Sequence, residues 1–215
     1  NRAFDGVCVF GSVRGGYADD DWGTENTNVV IENLIIDSSC SITYDNHWVA
    51  GIVGHINSMQ DGGSVTIRNC GNEANINAIE NANAGIVGIV EATALSLNII
   101  GCWNTGNITA TGKNIAGIFG GNSGSQATVI IKNCWNEGKI VGTNENAAIT
   151  AWVGSNVGND VSGCYNIGQV TGIDGTKSLY RGTVTSGKNN CDVQSGVQEG
   201  NAQLITADMV GTGEL

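Results

Sequence analysis

The stretch Asn-Cys-Trp-Asn-Glu-Gly-Lys-Ile at residues 133–140 decides the fold, because the chain repeats it in register. It returns as Gly-Cys-Trp-Asn-Thr-Gly-Asn-Ile at 101–108 and as Gly-Cys-Tyr-Asn-Ile-Gly-Gln-Val at 163–170, and a weaker copy lies at 69–76. The cysteines of the four copies are 32, 32 and 30 residues apart. A fixed period in this range indicates a repeat architecture in which each unit stacks on the next.

A second repeated string precedes each of these copies. It reads Ala-Gly-Ile-Val-Gly at 50–54 and at 84–88, and Ala-Gly-Ile-Phe-Gly at 116–120. We interpret Thr-Ala-Trp-Val-Gly at 150–154 as a degenerate copy and the segment 6–11 as an earlier one. The two strings recur together, so one repeat unit of about 32 residues contains both.

Each unit contains three short strand candidates. The first is the glycine-rich string itself, the second is an alternating segment such as 65–68 or 129–132, and the third surrounds Ile76 or Ile108. The Asn-x-Gly sequence before the third candidate predicts a turn with left-handed backbone geometry. Strands this short need neighbours from adjacent units to bury their apolar residues.

The repeat predicts an all-β fold, a right-handed parallel β-helix of about six coils. Residues 1–200 would form one domain with an irregular acidic loop near 17–28, and residues 201–215 would form a C-terminal cap or tail. The composition agrees, because the 215 residues include 33 glycines and no proline, which cannot donate to a strand ladder. The chain begins in mid-pattern, so we expect it to be part of a longer protein.

The cysteine column invites three interpretations, namely buried free thiols, disulfides between stacked cysteines, and a metal site. Aligning an earlier coil places Leu34 in this column and Cys40 in the column of Ile76, so cysteine and aliphatic residues exchange positions. A buried small hydrophobe behaves in this way. We also place Cys191 in the cysteine column, and we expect a backbone bend at Asn69 to turn Cys70 inward.

Two more columns follow from the same register. The asparagine column predicts an inward ladder of hydrogen-bonded side chains, and its members are Asn72, Asn104, Asn136 and Asn166. The aromatic column should face outward, where indole rings can pack on sugar rings or can simply brace one another. Its members, the candidate ligand-binding residues, are Trp103, Trp135 and Tyr165.

The acidic stretch near 17–28 interrupts the repeat. Asp19, Asp21 and Glu25 could supply oxygen ligands to Ca²⁺, which is the one cofactor that the sequence suggests. The stretch lacks the spacing of a known calcium loop, so a solvated insertion is the competing interpretation.

The charge and motif content exclude several functions. A net charge of −11 without a basic cluster argues against nucleic acid as a partner, and the chain has no apolar run long enough for a membrane span. No nucleophile-elbow, metalloprotease or phosphate-loop motif is present. The outward residues of the second strand, Arg68, Ile100, Lys132 and Ser162, offer no acid–base pair, so we expect no enzyme.

The two strings resemble the GLUG-motif repeats of bacterial surface and secreted proteins, over roughly residues 45–210. In those repeats a G-G-[LI]-V-G strand alternates with an N-[CS]-Y-x-x-G-x-[VI] segment. Residues 84–88 and 116–120 match the first part with alanine leading, and 102–108, 134–140 and 164–170 match the second. Tryptophan replaces the usual tyrosine in two copies.

The resemblance implies a β-solenoid from a large extracellular or cell-surface protein, and it implies no catalytic residue. We therefore expect a structural or interaction module, adhesin-like or stalk-like, whose partner would be a glycan or a host-surface protein. The alternative is a β-helix that binds or cleaves carbohydrate, acting as a polysaccharide lyase or glycoside hydrolase. The sequence leaves the ligand and the oligomeric state open.

Overall fold

The computed structural model describes most of the chain. The described residues are 7–14, 17–18, 21–22, 28–57, 63–92, 95–122, 127–156, 158–176, 179–184, 189–192 and 203–204. Within these ranges every regular element is a β-strand. No helix in this part of the chain is long and apolar enough to cross a membrane.

The strands recur in the same order in every coil. The first coil contains β1 (Phe10–Arg14), β2 (Tyr17–Ala18), β3 (Asp21–Trp22), β4 (Asn28–Glu32), β5 (Ile35–Ile36) and β6 (Ser41–Tyr44). The second contains β7 (Val53–Asn57), β8 (Ser64–Arg68), β9 (Gly71–Asn72) and β10 (Asn75–Ala78). The third contains β11 (Val87–Glu91), β12 (Ser96–Ile100), β13 (Trp103–Asn104) and β14 (Ile108–Ala110).

The later coils keep this order and then shorten. The fourth contains β15 (Phe119–Asn122), β16 (Thr128–Lys132), β17 (Trp135–Asn136) and β18 (Ile140–Val141). The fifth contains β19 (Thr150–Val153), β20 (Asp160–Ser162), β21 (Tyr165–Asn166) and β22 (Val170–Thr171). The remaining strands are β23 (Tyr180–Gly182), β24 (Cys191–Asp192) and β25 (Gln203–Leu204).

Equivalent strands of successive coils pair in parallel and form four sheets. Sheet 1 has the order β1-β7-β11-β15-β19-β23, sheet 2 β4-β8-β12-β16-β20, sheet 3 β5-β9-β13-β17-β21-β24-β25, and sheet 4 β6-β10-β14-β18-β22. The small hairpin of β2 and β3 is the antiparallel exception among the described strands. The predicted parallel β-helix is therefore confirmed. Among the described residues, sheets 2 and 4 have five strands, sheet 1 has six and sheet 3 has seven, so five coils are complete on all four sides, slightly fewer than the six expected.

The first strand of the repeat lies further along the chain than the sequence suggests. β7 begins at Val53, near the end of the Ala-Gly-Ile-Val-Gly string, and continues to Asn57. The alanines that open the string form isolated parallel bridges instead, joining Ala50 to Ala84 and Ala84 to Ala116. The sequence also missed that the residue pair after each cysteine is itself a strand, which gives the coil four sides.

The core explains why the two strings repeat together. The buried Asn104 side chain points across the interior at Gly85, where an added Cβ would lie only 2.6 Å from the asparagine Oδ1. The same contact joins Asn72 to Gly51 and Asn136 to Gly117. The glycine of the first string is therefore required by the asparagine of the second, since no side chain fits between them.

The turn after each asparagine differs from the prediction. Gly106 is not left-handed, and its backbone instead runs so close to the coil below that a Cβ would collide with the carbonyl group of Ala74. The left-handed residue is the one before each cysteine, including Asn69 at φ 52° and Asn133 at φ 53°. The predicted bend at Asn69 is thus confirmed, and it turns Cys70 into the core.

Three alignments of the sequence prediction are wrong. Ala116 pairs with Ala147 and Phe119 with Thr150, so the fifth copy of the first string is 147–151 rather than 150–154. Insertion of two residues in the first corner pairs Ile42, and not Cys40, with Ile76, and Cys40 is exposed.

The third wrong alignment concerns the last cysteine. Cys191 pairs with Tyr165, so it lies in the aromatic column. Asn190 takes the cysteine position instead, and its buried amide accepts from Cys164 N at 2.9 Å and donates to Val161 O at 2.7 Å.

Other expected positions agree with the structure. Leu34 lies in the cysteine column, because Gly71 N donates to Leu34 O and Ile35 pairs with Gly71. Phe10 pairs with Val53, which confirms an early copy of the first string. Of the predicted C-terminal cap at 201–215, the structure describes only β25, which adds one strand to sheet 3.

Candidate functional site

The predicted aromatic column exists on the outer face of sheet 3. Trp103 and Trp135 stack with their ring centroids 5.3 Å apart at an interplanar angle of 10°, and Trp135 stacks on Tyr165 at 5.8 Å and 6°. All three side chains are half-buried. Trp103 also leans over Gly71, where its indole occupies the space of the missing side chain. The column is therefore a continuous stack of rings.

This stacking limits what the aromatic column can bind. A sugar packs its C–H groups on the face of an aromatic ring, but here the faces lie against one another. Partial burial, together with the negative charge of Glu137, raises the pKa of Tyr165 above its ordinary value. The column thus offers ring edges and a neutral phenol to solvent, and a ligand there would make edge contacts.

The cysteine column consists of buried free thiols. Its members are Cys70, Cys102, Cys134 and Cys164, and no cysteine of the chain is disulfide-bonded. Each thiol donates to a backbone carbonyl of the preceding coil, as Cys134 does to Ile99 O at 3.5 Å. Burial raises the pKa of the Cys134 thiol well above its ordinary value. All four thiols are buried, so they pack as small core hydrophobes with weak donors.

The calcium prediction largely falls outside the described residues. Asp19 and Glu25 are not described, and Asp21 is described only as a backbone position in β3. Among the side chains that the structure does describe, no group of three or more His, Cys, Asp or Glu residues could hold a metal ion.

A groove that the sequence did not predict runs along the outer face of sheet 1. It has a volume of about 580 Å³ and crosses the second to fifth coils. Its lining combines aromatic, amide and charged side chains: His47, Trp48, Asn81, Ala82, Ile89, Glu91, Lys113, Asn114, Gly121, Asn122, Glu145 and Trp152. We call this surface the sheet 1 groove.

The floor of the sheet 1 groove is low because small residues occupy it. Ile89 pairs with Gly121 in the register of β11 and β15, and Ala82 lies at the neighbouring corner. Trp152 follows on β19 with 41% of its surface exposed. The glycine between Ile89 and Trp152 leaves a depression that a larger residue would fill.

One wall of the sheet 1 groove is a column of left-handed corner residues. Its members are Trp48 (φ 62°), Ala82 (φ 58°), Asn114 (φ 60°) and Glu145 (φ 58°). This geometry is unfavourable for residues other than glycine and asparagine, above all for a bulky one such as tryptophan. Backbone hydrogen bonds between coils maintain this conformation, such as the one from Trp48 N to Asn81 O at 3.2 Å. Strained positions of this kind cluster at functional sites.

The charged groups at the sheet 1 groove are all paired. His55 Nε2 lies 3.1 Å from Glu91 Oε2, and its ring packs 4.4 Å from that of Trp48. Glu145 binds both Lys113, at 3.2 Å, and the nearly buried Arg181, at 3.1 Å. The groove is therefore close to neutral, although the chain as a whole carries a net charge of −11.

Arg181 anchors the far end of the sheet 1 groove. Its Nη1 donates to Asn114 Oδ1 at 3.3 Å and to Ala151 O at 2.9 Å, and its guanidinium lies 5.5 Å from the Trp152 ring centroid. A guanidinium over an indole is a favourable cation–π contact. Trp152 is thus held in place on one side, and it lines the groove.

Few features of the sequence point to this groove. Its residues come from four coils, and all of them lie outside the two repeated strings. Only the register of sheet 1 brings them together. The one usable signal is that Trp152 aligns with Gly121 and Ile89 once the fifth copy of the first string is placed at 147–151. The three-residue error in aligning that string hid this correspondence.

Comparison with known proteins adds no assignment to this geometry: the chain matches no protein-family model, no curated protein and no solved structure.

Proposed function

We propose that this chain is a structural and interaction module of a bacterial cell-surface or secreted protein, which holds a partner without transforming it. The sheet 1 groove carries the proposal. It is a concave surface that crosses four coils and contains two partly accessible tryptophans and three amides. The interior columns serve the stack, so contact with a partner falls to the outer faces. The resemblance to GLUG-motif repeats supports an extracellular location and an adhesin-like or stalk-like role.

A parallel β-helix suits this task mechanically. The first five coils are tied to one another by backbone ladders on four sides, and the second to fifth also by the asparagine ladder inside. Groups that lie on such strands keep their spacing when a partner pulls on them. A binding surface that extends over several coils also shares the load among their ladders.

The test is an adhesion experiment with the whole chain coupled to beads. Beads are washed over surfaces coated with mucin, collagen or mannan, and retention is compared with that of beads carrying Gly121→Val, in which the groove floor is filled. We expect retention on at least one coat, reduced by Gly121→Val. Retention on none of the coats, or equal retention of both proteins, would contradict the proposal.

The second candidate is a β-helix that cleaves carbohydrate. The observation in its favour is that Glu91 and Glu145 both line the sheet 1 groove. Glu91 is already paired with His55, and Glu145 with Lys113 and Arg181, so neither carboxyl group is free to contact a glycosidic oxygen. A reducing-sugar assay separates the candidates, because release of reducing ends from mannan or from another polysaccharide would establish turnover.

A further inference from the structure

The three asparagines of the sheet 1 groove share one hydrogen-bonding state. Asn81 Oδ1 accepts from Lys113 N at 2.9 Å, Asn114 Oδ1 accepts from Arg181 at 3.3 Å, and Asn122 Oδ1 accepts from Gly154 N at 2.7 Å. The protein thus occupies every carbonyl oxygen and fixes the orientation of every amide.

The amino groups of these three side chains differ from their carbonyl oxygens in having no protein partner. No acceptor among the described residues takes a hydrogen bond from Nδ2 of Asn81, Asn114 or Asn122. Asn122 is only 4% exposed and pairs in register with the core residue Val90, so its Nδ2 lies out of reach of water and of a ligand alike. Asn81 and Asn114 are half-buried, and their free amino groups favour a ligand that brings oxygen acceptors.

The two tryptophans set the length and the apolar character of that ligand. Trp48 lies in the second coil and Trp152 in the fifth, so three coil steps separate them, or about 14 Å at the usual strand spacing. A ligand that contacts both rings must be extended along the helix axis and must present apolar faces.

The charges decide between neutral and acidic ligands. Lys113 and Arg181 carry two positive charges and Glu145 and Glu91 carry two negative charges, so the groove has no net positive charge to attract an acidic ligand. The net charge of −11 also repels an acidic polymer at a distance. The remaining class combines apolar faces with many uncharged oxygen acceptors.

From these observations we infer that the sheet 1 groove binds an uncharged oligosaccharide chain. A sugar face packs on Trp152, and hydroxyl or ring oxygens accept from the amides of Asn81 and Asn114. The far end of the chain meets the ring edge of Trp48, because the Trp48 ring already contacts His47 at 4.3 Å and His55 at 4.4 Å. This inference rests on the proposed function and names its ligand class. It places the site on sheet 1 and away from the aromatic column of sheet 3.

Isothermal titration calorimetry tests the site with neutral cello-, xylo- and manno-oligosaccharides of two to six units, and with oligogalacturonate as the acidic comparison. We expect at least one neutral series to bind, with an affinity that rises with length until the chain reaches both tryptophans. Binding should be insensitive to salt. Binding of oligogalacturonate alone, or of no neutral series, would overturn the inference.

Variants locate the site. Trp152→Ala should weaken binding about tenfold or more, since it removes one stacking face. Asn81→Asp should also weaken binding, because it replaces the donor by an acceptor. Gly121→Val fills the floor and should abolish binding, and a thermal melt of each variant establishes that it is folded.

The matched control is Trp135→Ala, which removes an equally large ring from the aromatic column. Its binding should equal that of the wild type. Loss of binding in Trp135→Ala with none in Trp152→Ala would assign the ligand to sheet 3 and would overturn the inference. Beads that adhere to collagen while no neutral oligosaccharide binds would refute the inference but leave the proposed function standing.

Discussion

Asn104 donates its side-chain Nδ2 to Asn136 Oδ1 at 2.9 Å, and both residues are completely buried. The same bond joins Asn72 to Asn104 at 2.8 Å and Asn136 to Asn166 at 3.0 Å. Each of these amides also donates to a backbone carbonyl two residues ahead, as Asn104 does to Gly106 O at 2.8 Å. The predicted asparagine ladder is therefore confirmed as an internal network whose inner members are fully paired.

Breaking the asparagine ladder in its middle should cost more than breaking it at its start. Asn104→Leu removes one donor and one acceptor from the ladder, whereas Asn72→Leu removes only a donor in use, because Asn72 Oδ1 has no partner. We expect a loss of about 2–4 kcal/mol for Asn104→Leu and about 1 kcal/mol less for Asn72→Leu. Urea unfolding measures both, with the exposed Thr105→Ala as the control. Equal losses in the two leucine variants would refute the network interpretation.

The accessibility of the thiols should separate the exposed Cys40 from the four buried thiols of the cysteine column, with the half-buried Cys8 and Cys191 between them. Cys40 is exposed, whereas the four thiols of the cysteine column are buried. We expect Ellman's reagent at pH 8 to modify Cys40 rapidly in the native protein and the four buried thiols only in guanidinium, because packing shields the buried sulfur atoms from the reagent. Counting released thionitrobenzoate measures this. Rapid modification of the column in the native state would contradict the packing described above.

Alkaline pH should destabilise the fold through Cys8. Burial raises the pKa of this thiol from 9.0 to about 12. Its contribution to stability is complete below pH 9, where both states keep the proton. It is lost as the pH rises from 9 to 12, because the unfolded chain releases the proton first. Thermal melts between pH 8 and 11 should show a shallower decline for Cys8→Ala than for the wild type, and parallel curves would exclude this linkage.

Arg181 and Arg68 offer a matched comparison of a buried and an exposed ion pair. Arg181 is 12% exposed and bonds to Glu145, Asn114 and Ala151, whereas Arg68 is 51% exposed and bonds to Glu32. Lysine cannot reproduce the planar fork of several donors. We expect Arg181→Lys to lower the free energy of unfolding by about 2–3 kcal/mol, and Arg68→Lys by less than about 1 kcal/mol. Similar losses of unfolding free energy in the two variants would mean that the additional hydrogen bonds of Arg181 do not stabilise the fold.

Ala82 holds a backbone conformation that glycine adopts more easily. Its φ of 58° is unfavourable for a residue with a Cβ, at a cost of about 1–2 kcal/mol. Glycine removes this strain but adds freedom to the unfolded chain, so the net gain for Ala82→Gly should be about 0.5–1 kcal/mol. A higher midpoint in urea checks the prediction. A lower midpoint would show that packing of the alanine methyl group outweighs the strain.

Much of the stack could be predicted because its rules are local. The alternation in residues 65–68, the cysteine–aliphatic exchange at Leu34 and the bend at Asn69 all follow from side-chain period and turn chemistry within one unit. Ile36 in the asparagine column also explains why Asn72 Oδ1 lacks a donor, since isoleucine has no amide to offer.

The features that the sequence did not predict depend on the length of the corners and on contacts between coils. The first coil takes six residues from Ile36 to Ile42, where the second takes four from Asn72 to Ile76, and no local signal marks this difference. The sheet 1 groove likewise results from residues about 32 positions apart whose corner geometry no propensity encodes. A tryptophan with a left-handed backbone is visible only once the coils are stacked.

The direction of the asparagine ladder restricts how the number of coils can change. Every amide donates towards the C-terminal coils, and the last bond runs from Asn166 Nδ2 to Asp192 Oδ1 at 3.1 Å. A carboxylate accepts hydrogen bonds but donates none, so the ladder of side-chain hydrogen bonds ends at Asp192. Duplication of a whole unit between Asn72 and Asn166 would preserve every link, whereas a unit added after Asp192 would begin without a donor. β-Helices of different length should therefore arise by duplication of an internal repeat unit.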